Sequence, residues 1–523
     1  MTVHTRAGLT LSGFILFFLV GVGFMRHAAI IGPFDTIKVD GGTISGVMNP
    51  TGDIHEFKGI PFAEPPVGKL RWKAPRPVIS WKGVKVCDRF GPSPMQKDPV
   101  PFSMWSAEWL IPKEPISEDC LYLNVWTGAA DPKEKRPVLV WIYGGGFVSG
   151  GSAVPIYDGE AMAKKGVIVV SCNYRVGIFG FFAHPELTAE SPHNASGNYG
   201  LLDQIAALQW VKKNIAAFGG DPDNVTIAGQ SAGSMSVNCL VASPLAKNLF
   251  QKAIGESGAI FTRKSPSLQQ AEEKGKQLLQ LLQVDGVNDL RAMPADELLR
   301  RTLGSREPIV DGYVLPEAVA DIFKEGKENN VALLTGWNQD EGFLDGPAKT
   351  AADFQQEARD SYGSAAASFL TFYPAHNDSA AAVSQMYLSR DMVFGVQNYT
   401  WANVESGQGK KVYVYRFARK PPATGQYIKY GAFHSGEVPY VFDNLRLVDR
   451  PWESIDHQLA TLISTYWVNF IKTGNPNGDQ LPVWGTYSVA DKEIMVFGPD
   501  KQETEPMKDS GGLDFLYTRI GDH

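Results

Sequence analysis

Five short, nearly continuous apolar runs recur along the chain and contain many β-branched residues. They lie at residues 138–143, 167–172, 225–228, 331–335 and 412–417. Between them are segments whose apolar positions are three and four residues apart, as in the series from Leu201 to Phe218. That spacing is typical of an amphipathic helix, whereas continuous apolar runs are typical of strands buried on both faces. The pattern predicts a mostly parallel central sheet with helices on both faces.

Two segments rich in proline and aromatic residues, 98–115 and 305–316, interrupt this alternation. Long excursions of this kind leave the carboxyl edge of a parallel sheet, where substrate pockets form. We therefore expect them to build the walls of a substrate gorge. Since no linker or internal repeat divides the chain, residues 31–523 are predicted to form one domain.

The N-terminus is different in kind, and residues 1–30 are assigned as an export segment. Residues 9–25 are almost wholly apolar, with Arg6 before them and Arg26 after. The length fits a signal peptide or a short membrane anchor, and a misassigned start is a third interpretation. We expect an exported, periplasmic or secreted protein, with a possible membrane tether.

Composition narrows the function classes. The 523 residues carry a net charge of −7 with no long basic run, which argues against a nucleic-acid partner. The four cysteines are too few for a disulfide scaffold, and none has the spacing of a metal site. The sequence predicts no metal and no cofactor, and it leaves the oligomeric state open.

The pentapeptide from Gly229 to Gly233, with Ser231 at its centre, directly follows the run at 225–228. In a nucleophile elbow, a strand turns sharply into a helix, and small residues on both sides of the serine allow the close approach of neighbouring backbones. The order of helix, strand and serine turn fits an α/β-hydrolase, in which the serine is the nucleophile.

Such a serine needs a base, and the base needs a carboxylate, in the chain order serine, acid, histidine. Of the nine histidines, only His376, His434, His457 and His523 follow Ser231 and a plausible acid. His434 is the best base, because it lies in a loop flanked by Gly431 and Gly436 after the run at 412–417. For the acid, Asp340 and Glu341 are adjacent after the run at 331–335, and only one of them can point inward.

Acyl transfer also needs N–H donors for the developing oxyanion. The run at 138–143 leads into Gly144-Gly145-Gly146, whose amides are exposed by the absence of side chains. A further donor is the N–H of Ala232, at the start of the predicted helix, where the helix dipole favours negative charge.

Together these residues resemble the type B carboxylesterase family, which includes the cholinesterases, over about residues 36–515. The likeness does not depend on the serine pentapeptide alone. Further family-like motifs are Gly59-Ile60-Pro61-Phe62-Ala63, Pro65-Pro66-Val67-Gly68, Arg71-Trp72, the stretch from Ser117 to Val125, Asn173-Tyr174-Arg175, the stretch from Gly197 to Gln204, and the stretch from Phe218 to Pro222.

The resemblance implies an α/β-hydrolase fold and assigns roles to individual residues. The triad would be Ser231, Glu341 and His434, with glutamate as the family's acid. The oxyanion donors would be Gly145, Gly146 and Ala232. Two structural ion pairs are also implied, Arg71 with Glu118 and Arg175 with Asp203.

The chain departs from the family pattern at two places. Relatives commonly form a disulfide between the equivalent of Cys120 and a cysteine about 25 residues earlier. This chain has Met95 at that earlier position, and Cys87 is displaced from it by eight residues. The disulfide is therefore in doubt. Gln230 stands where cholinesterases have glutamate, so a charge that favours cationic substrates is absent. Trp105 and Trp109 do not match the spacing of a choline-site tryptophan, and we interpret them as packed side chains.

The favoured hypothesis is therefore a serine carboxylesterase that hydrolyses neutral, small-molecule carboxylic esters through an acyl-enzyme. An alternative is a detoxifying esterase for a bulky ester, such as a mycotoxin-like tricarballylate ester or a synthetic one. Four aromatic residues could line a wide pocket for it: Phe147, Trp337, Phe343 and Phe433. A non-catalytic binding or adhesion relative is a third hypothesis, which the intact serine, acid and histidine oppose.

Overall fold

The computed structural model describes residues 1–2, 34–262, 265–302, 307–499 and 502–519. Its contacts divide the chain into Met1–Gly32 and Pro33–His523. The expectations for residues 1–30 depend on the apolar segment 9–25, which lies outside the described residues. Everything below concerns the second unit.

Sixteen strands form in the described residues, and most are short. They are β1 (Ile37–Val39), β2 (Gly42–Ser45), β3 (Val47–Met48), β4 (His55–Pro61), β5 (Val84–Val86), β6 (Ser93–Pro94), β7 (Ile116–Ser117), β8 (Tyr122–Thr127), β9 (Arg136–Ile142), β10 (Ile168–Cys172), β11 (Gly220–Gln230), β12 (Lys252–Glu256), β13 (Ala332–Asn338), β14 (Val412–Phe417), β15 (Glu493–Phe497) and β16 (Gln502–Pro506).

Eleven of these strands form one sheet in the order β16-β15-β14-β13-β12-β11-β9-β10-β8-β4-β3. The pairings from β10 through β15 are parallel, whereas β8, β4 and β3 on one side and β16 on the other pair antiparallel. The predicted mostly parallel sheet is thus confirmed, with antiparallel strands at both edges. A separate three-stranded sheet (β1-β2-β5) and the pair β6-β7 lie outside it.

The described residues also contain sixteen α-helices. They are α1 (Glu160–Lys164), α2 (Gly177–Gly180), α3 (Pro185–Glu190), α4 (Tyr199–Asn214), α5 (Ala232–Ala242), α6 (Leu268–Leu282), α7 (Val287–Ala292), α8 (Ala295–Arg301), α9 (Val319–Lys324), α10 (Ala351–Tyr362), α11 (Ala366–Phe372), α12 (Asp378–Arg390), α13 (Val396–Gly407), α14 (Val438–Val441), α15 (Ser454–Thr473) and α16 (Ser510–Tyr517).

Helices cover both faces of the sheet, as two adjacent residues of β12 demonstrate. A Cβ on Gly255 would point at Trp401 of α13 and Ser234 of α5. The next residue, Glu256, accepts a hydrogen bond from Trp467 of α15. Because successive strand residues face opposite sides of a sheet, α5 and α13 lie on one face and α15 lies on the other.

Four central strands carry the candidate chemistry at their carboxyl ends. β9 leads into the glycine run, β11 into Ser231, β13 into the Asp340–Glu341 pair, and β14 precedes the loop that contains His434. Parallel strands place these ends along one edge, which is why residues far apart in sequence meet there. No helix in the described part of the chain is long and apolar enough to cross a membrane.

Candidate active site

The turn from β11 into α5 holds Ser231 in a backbone conformation that side chains rarely adopt, with φ of 58° and ψ of −125°. The flanking glycines make this turn possible. A Cβ on Gly229 would lie 2.5 Å from the carbonyl carbon of Gly233, and a Cβ on Gly233 would overlap the carbonyl oxygen of Ile142. The N–H of Ser231 donates to the carbonyl of Glu256 (2.8 Å), which fixes the turn against the neighbouring strand.

His434 is 4% exposed, and its Nδ1 lies 2.8 Å from Oε2 of Glu341, which is fully buried. A carboxylate can only accept at that distance, so Nδ1 carries the proton and Nε2 is left as the acceptor. Of the other candidate histidines, His376 and His457 are exposed, and His523 lies outside the described residues. His434 and Ser231 line the same cavity.

The two adjacent carboxylates point in different directions, as expected from the sequence, and each has its own hydrogen-bond partner. Glu341 faces His434, and its second oxygen accepts from the N–H of Asn338 (2.8 Å). Asp340 instead accepts from the N–H of Ala432 (2.9 Å), and its own N–H donates to the carbonyl of Ala432 (3.0 Å). Asp340 therefore ties the acid loop to the histidine loop, a role that the sequence did not indicate.

Gln230, directly before the serine, is buried beside the imidazole. Its Nε2 lies 3.3 Å from Nδ1 and 3.2 Å from Nε2 of His434. Because these two distances are nearly equal, the amide nitrogen contacts the ring as a whole and is not directed at the lone pair of Nε2. A neutral donor at this position adds no negative charge to the site.

The glycine run after β9 curls over the serine. Gly145 and Gly146 have φ of 118° and 62°, values that favour glycine. The carbonyl of Gly145 accepts from the N–H groups of Val148 and Ser149 (3.1 Å each), which turns the loop back on itself. Within the described residues, the N–H groups of Gly145, Gly146 and Ala232 have no hydrogen-bond acceptor, so all three are available to a bound oxyanion.

Two buried acids, Glu256 and Glu437, lie behind the site, and no sequence pattern indicated them. Burial raises the pKa of Glu256 to about 8, and the pKa of Glu437 is well above its usual value because of burial and the nearby Glu256 and Glu341. Asn338 donates to Glu437 through its side chain and to Glu341 through its backbone. Burial therefore disfavours negative charge on both carboxyl groups behind the serine turn.

Both implied ion pairs form in the structure, and none of their four residues lines the cavity shared by Ser231 and His434. Arg71 donates to both carboxylate oxygens of Glu118 (2.7 and 2.6 Å) and also to the carbonyls of Leu290 and Met293. Arg175 and Asp203 form a buried two-point pair (2.8 and 2.7 Å). Arg71 thereby ties the N-terminal region to the segment that follows α7.

The cysteines lie in the core as free thiols. All four are buried and unpaired, including Cys87 and Cys120. Burial raises the pKa of Cys87 to about 11, as expected for a thiol in an apolar environment. Among the described residues, no group of three or more His, Cys, Asp or Glu could hold a metal ion.

A cavity of about 1150 Å³ opens above Ser231. Parts of both predicted excursions line it, including residues 98–111 and Glu307 with Pro308. Trp105 and Trp109 contribute to the wall, and their indole N–H groups donate to Oγ (3.1 Å) and to the carbonyl (3.2 Å) of Ser435, beside the histidine. The two tryptophans thus brace the histidine loop.

The aromatic residues expected to line the pocket divide into two groups. Phe147 and Phe343 line the cavity. Trp337 and Phe433 are almost fully buried in the core and do not line it, because Trp337 is in β13 and Phe433 packs against Trp109 (5.7 Å between ring centroids). Phe394, which the sequence did not single out, lines the cavity and stacks on His434.

Comparison with known proteins gives one consistent result. The model of the Carboxylesterase family matches residues 34–511. Since this match spans most of the chain, the protein belongs to the carboxylesterase family and is a carboxylic ester hydrolase.

Particular relatives are similar over most of their length. The chain is 37% identical to the fumonisin B1 esterase of Sphingopyxis macrogoltabida (87% of this chain, 85% of the relative). It is 38% identical to the para-nitrobenzyl esterase of Bacillus subtilis strain 168 (88% and 93%) and 33% identical to liver carboxylesterase 1 of Oryctolagus cuniculus (92% and 90%). A solved PNB esterase structure superimposes with a TM-score of 0.79 at 34% identity, covering 92% of this chain and 99% of that chain. The α/β-hydrolase fold is thereby confirmed.

Proposed function

We propose that this carboxylesterase hydrolyses neutral carboxylic esters through a Ser231–His434–Glu341 triad and an acyl-enzyme intermediate. The observation that carries the proposal is the 2.8 Å contact between Nδ1 of His434 and the buried Glu341, with His434 and Ser231 on the wall of one cavity. A buried carboxylate that orients an imidazole beside a strained serine turn is the arrangement that activates a hydroxyl nucleophile.

The chemistry proceeds in two halves. Nε2 of His434 takes the Ser231 proton as Oγ attacks the ester carbonyl, and Glu341 stabilises the imidazolium that forms. The imidazolium then gives its proton to the departing alcohol, and the C–O bond breaks to leave the acyl group on Ser231. In the second half, His434 deprotonates a water that attacks the acyl carbonyl, and the proton returns to Oγ as the acid departs.

Each tetrahedral intermediate puts a negative charge on the former carbonyl oxygen. The N–H groups of Gly145, Gly146 and Ala232 are proposed to bind it, because they have no other acceptor among the described residues. Ala232 is the first residue of α5, where the helix dipole adds positive potential. Removal of one such donor costs about 2.7–4 kcal/mol of transition-state stabilisation.

We expect Gly146→Val to lower kcat by about 10²–10³ with only a small loss of stability. A side chain at this φ of 62° forces the backbone to shift and redirects the amide, although the nearest atom to an added Cβ is 3.8 Å away. The measurement is kcat for p-nitrophenyl acetate together with the melting temperature.

The matched control is Gly83→Val, since Gly83 has φ of 74° and open space around it, far in sequence from the site. It carries the same backbone strain and should retain kcat. Equal kinetics in the two stably folded variants would remove the glycine run from the mechanism.

The cavity supports the neutral-ester interpretation. Among the described residues that line it, one carries a cationic side chain, Lys97, and two carry anionic side chains, Asp98 and Glu307. Trp109 does not offer a free face to a cationic substrate, because the Arg450 guanidinium lies 5.1 Å from its ring centroid. The volume of about 1150 Å³ also accommodates a bulky ester, so a detoxifying esterase for such a substrate stays as the second proposal.

We expect a neutral ester to be preferred over a cationic one of the same shape. A quaternary ammonium group needs an anion or a free aromatic face close to it to offset its desolvation, and Gln230 places no anion next to the serine. We therefore expect kcat/KM for 3,3-dimethylbutyl butyrate to exceed that for butyrylcholine by about tenfold or more. The two alcohols differ only in the charged nitrogen. Gln230→Glu should narrow the ratio, whereas an equal or better rate with butyrylcholine in the unaltered enzyme would contradict the proposal.

A hydrolysis profile over p-nitrophenyl esters with acyl chains of two to twelve carbons tests the breadth of the acyl site.

We also propose that the protein is exported, on the basis of residues 9–25. Sequencing the N-terminus of the mature protein from separate cell fractions tests this: a start near residues 28–35 means cleavage, and an intact N-terminus in the membrane fraction means an anchor.

A further inference from the structure

We infer that Phe394 is a positioning residue for His434, and that a π-helical turn exists at Asp391–Gly395 to present its ring to the imidazole. This inference rests on the proposed role of His434 as the base. The turn lies between α12 and α13 and interrupts what would otherwise be one continuous helix. Single π-turns inside α-helices occur frequently at functional sites, because they redirect side chains that a regular helix would point elsewhere.

The contact between the two rings is direct. The centroids of the Phe394 ring and the imidazole are 4.2 Å apart with an interplanar angle of 17°, which is a stacked arrangement. Phe343 and Trp105 approach the imidazole edge-on, at 5.7 and 6.2 Å. Of these three rings, which come from separate segments, Phe394 is the one that covers a face of the imidazole.

This stacking limits a motion that the hydrogen bonds leave free. The bond from Nδ1 to Glu341 fixes one point of the ring. The Gln230 amide nitrogen, 3.2–3.3 Å from both ring nitrogens, is a single atom that does not fix the plane of the ring, so the ring can still tilt. A flat surface against one face restricts the tilt and holds the plane of the imidazole. Because the geometry of proton transfer is sensitive to displacements of about 1 Å, such restriction affects the rate more than binding.

The π-turn is held by buried charges rather than by apolar packing alone. Asp391 accepts from Nε of Arg390 (2.7 Å) and from the hydroxyl of Tyr373 (2.9 Å). Arg390 also donates to Asp509 (2.7 Å) and to the carbonyl of Gln339 (3.3 Å). The same arginine therefore anchors the turn that carries Phe394 and the loop that carries Glu341.

A second arginine closes this network. Arg416 of β14 donates to the side chain of Gln339 (2.9 Å) and to Asp509 (3.1 Å). Two arginines and two aspartates thus form a charge-balanced cluster, buried except at Asp509, that connects the acid loop, the π-turn and the residue preceding α16. The cluster gives Phe394 and Glu341 a common support, which fits a shared task at His434.

The test compares Phe394→Leu and Phe394→Tyr with a control, Phe218→Leu. Phe218 is fully buried, lies just before the N-terminal end of β11, and its ring packs against Phe57 and Trp210. We expect Phe394→Leu to lower kcat about ten- to a hundredfold with little change in KM. Phe394→Tyr, which keeps the flat face, should retain kcat within about threefold, and Phe218→Leu should lose stability while it keeps kcat.

Three results would overturn the inference. The first is an unchanged kcat in Phe394→Leu. The second is a rise in KM at constant kcat, which would make Phe394 part of the substrate wall. The third is an equal loss of kcat in Phe218→Leu. If Phe394→Leu does not fold, Phe394→Met fills a similar volume without a flat face and takes its place. Full activity in His434→Ala would instead refute the proposed function, so the two failures are distinguishable.

Discussion

Replacement of Ser231 by alanine is expected to lower kcat for ester hydrolysis by about 10⁴-fold or more. The variant loses the only atom that can form the acyl-enzyme in the proposed mechanism, while the flanking glycines and the hydrogen bond from residue 231 to Glu256 stay in place. The fold should therefore persist. Steady-state kinetics with p-nitrophenyl butyrate and a thermal melt of both proteins test the expectation.

A matched control is Ser236→Ala on the same helix. Ser236 is buried and accepts a hydrogen bond from Gln204 (3.0 Å), so its loss removes a buried hydroxyl without touching the cavity wall. We expect a small loss of stability and a kcat within about twofold, since its only lost contact is one buried hydrogen bond. A Ser231→Ala enzyme that kept most of its turnover would refute the nucleophile assignment.

The second large effect is expected for Glu341→Gln, with a loss of kcat of about 10⁴-fold. The glutamine oxygen can keep the hydrogen bond from the N–H of Asn338, and its NH₂ group must then face Nδ1 of His434. Two donors cannot pair, so the imidazole turns to the wrong tautomer and its Nε2 no longer accepts the serine proton.

Asp340→Asn is the control for this change. An asparagine oxygen can still accept from the N–H of Ala432, so the hydrogen bond between the two loops is kept. Because a neutral acceptor only replaces a charged one, we expect kcat to change by less than about threefold. The kinetic constants of both variants, measured beside the unaltered enzyme, decide between the acids. If Asp340→Asn were the more damaged enzyme, Asp340 would be the triad acid.

The sequence predicted the central sheet well because its strands are apolar on both faces. The run at 412–417 coincides with β14, and the run at 138–143 overlaps β9. The run at 225–228 covers only part of β11, because the strand begins at Gly220 with polar residues and an irregular register before Val225. Polar positions in an extended segment have no hydrophobic pattern, so the start of this strand could not be predicted.

The parts of the site that depend on local chemistry were also predictable. A small–serine–small turn and a glycine run have sequence signatures because only small residues permit those backbones. The different tasks of Asp340 and Glu341 depend instead on which loop each one faces. The residues alone left that choice open, and family resemblance selected Glu341.

Other features had no signature at all. A π-turn adds one residue to a helix, and the apolar spacing around Phe394 does not reveal it. Trp337 and Phe433 were expected in the pocket wall, but their neighbours in the fold bury both of them. Whether an aromatic residue lines a cavity or fills the core is decided by tertiary packing, which sequence spacing does not encode.

Covalent labelling of the active enzyme tests the central claim most directly. The enzyme would be inactivated with an organophosphonate ester and digested, and the modified peptide would be identified by mass spectrometry. The account predicts one label per chain on Ser231, appearing in step with the loss of activity, and no label in His434→Ala on the same timescale. A label on another residue, or complete inactivation with Ser231 unmodified, would contradict it.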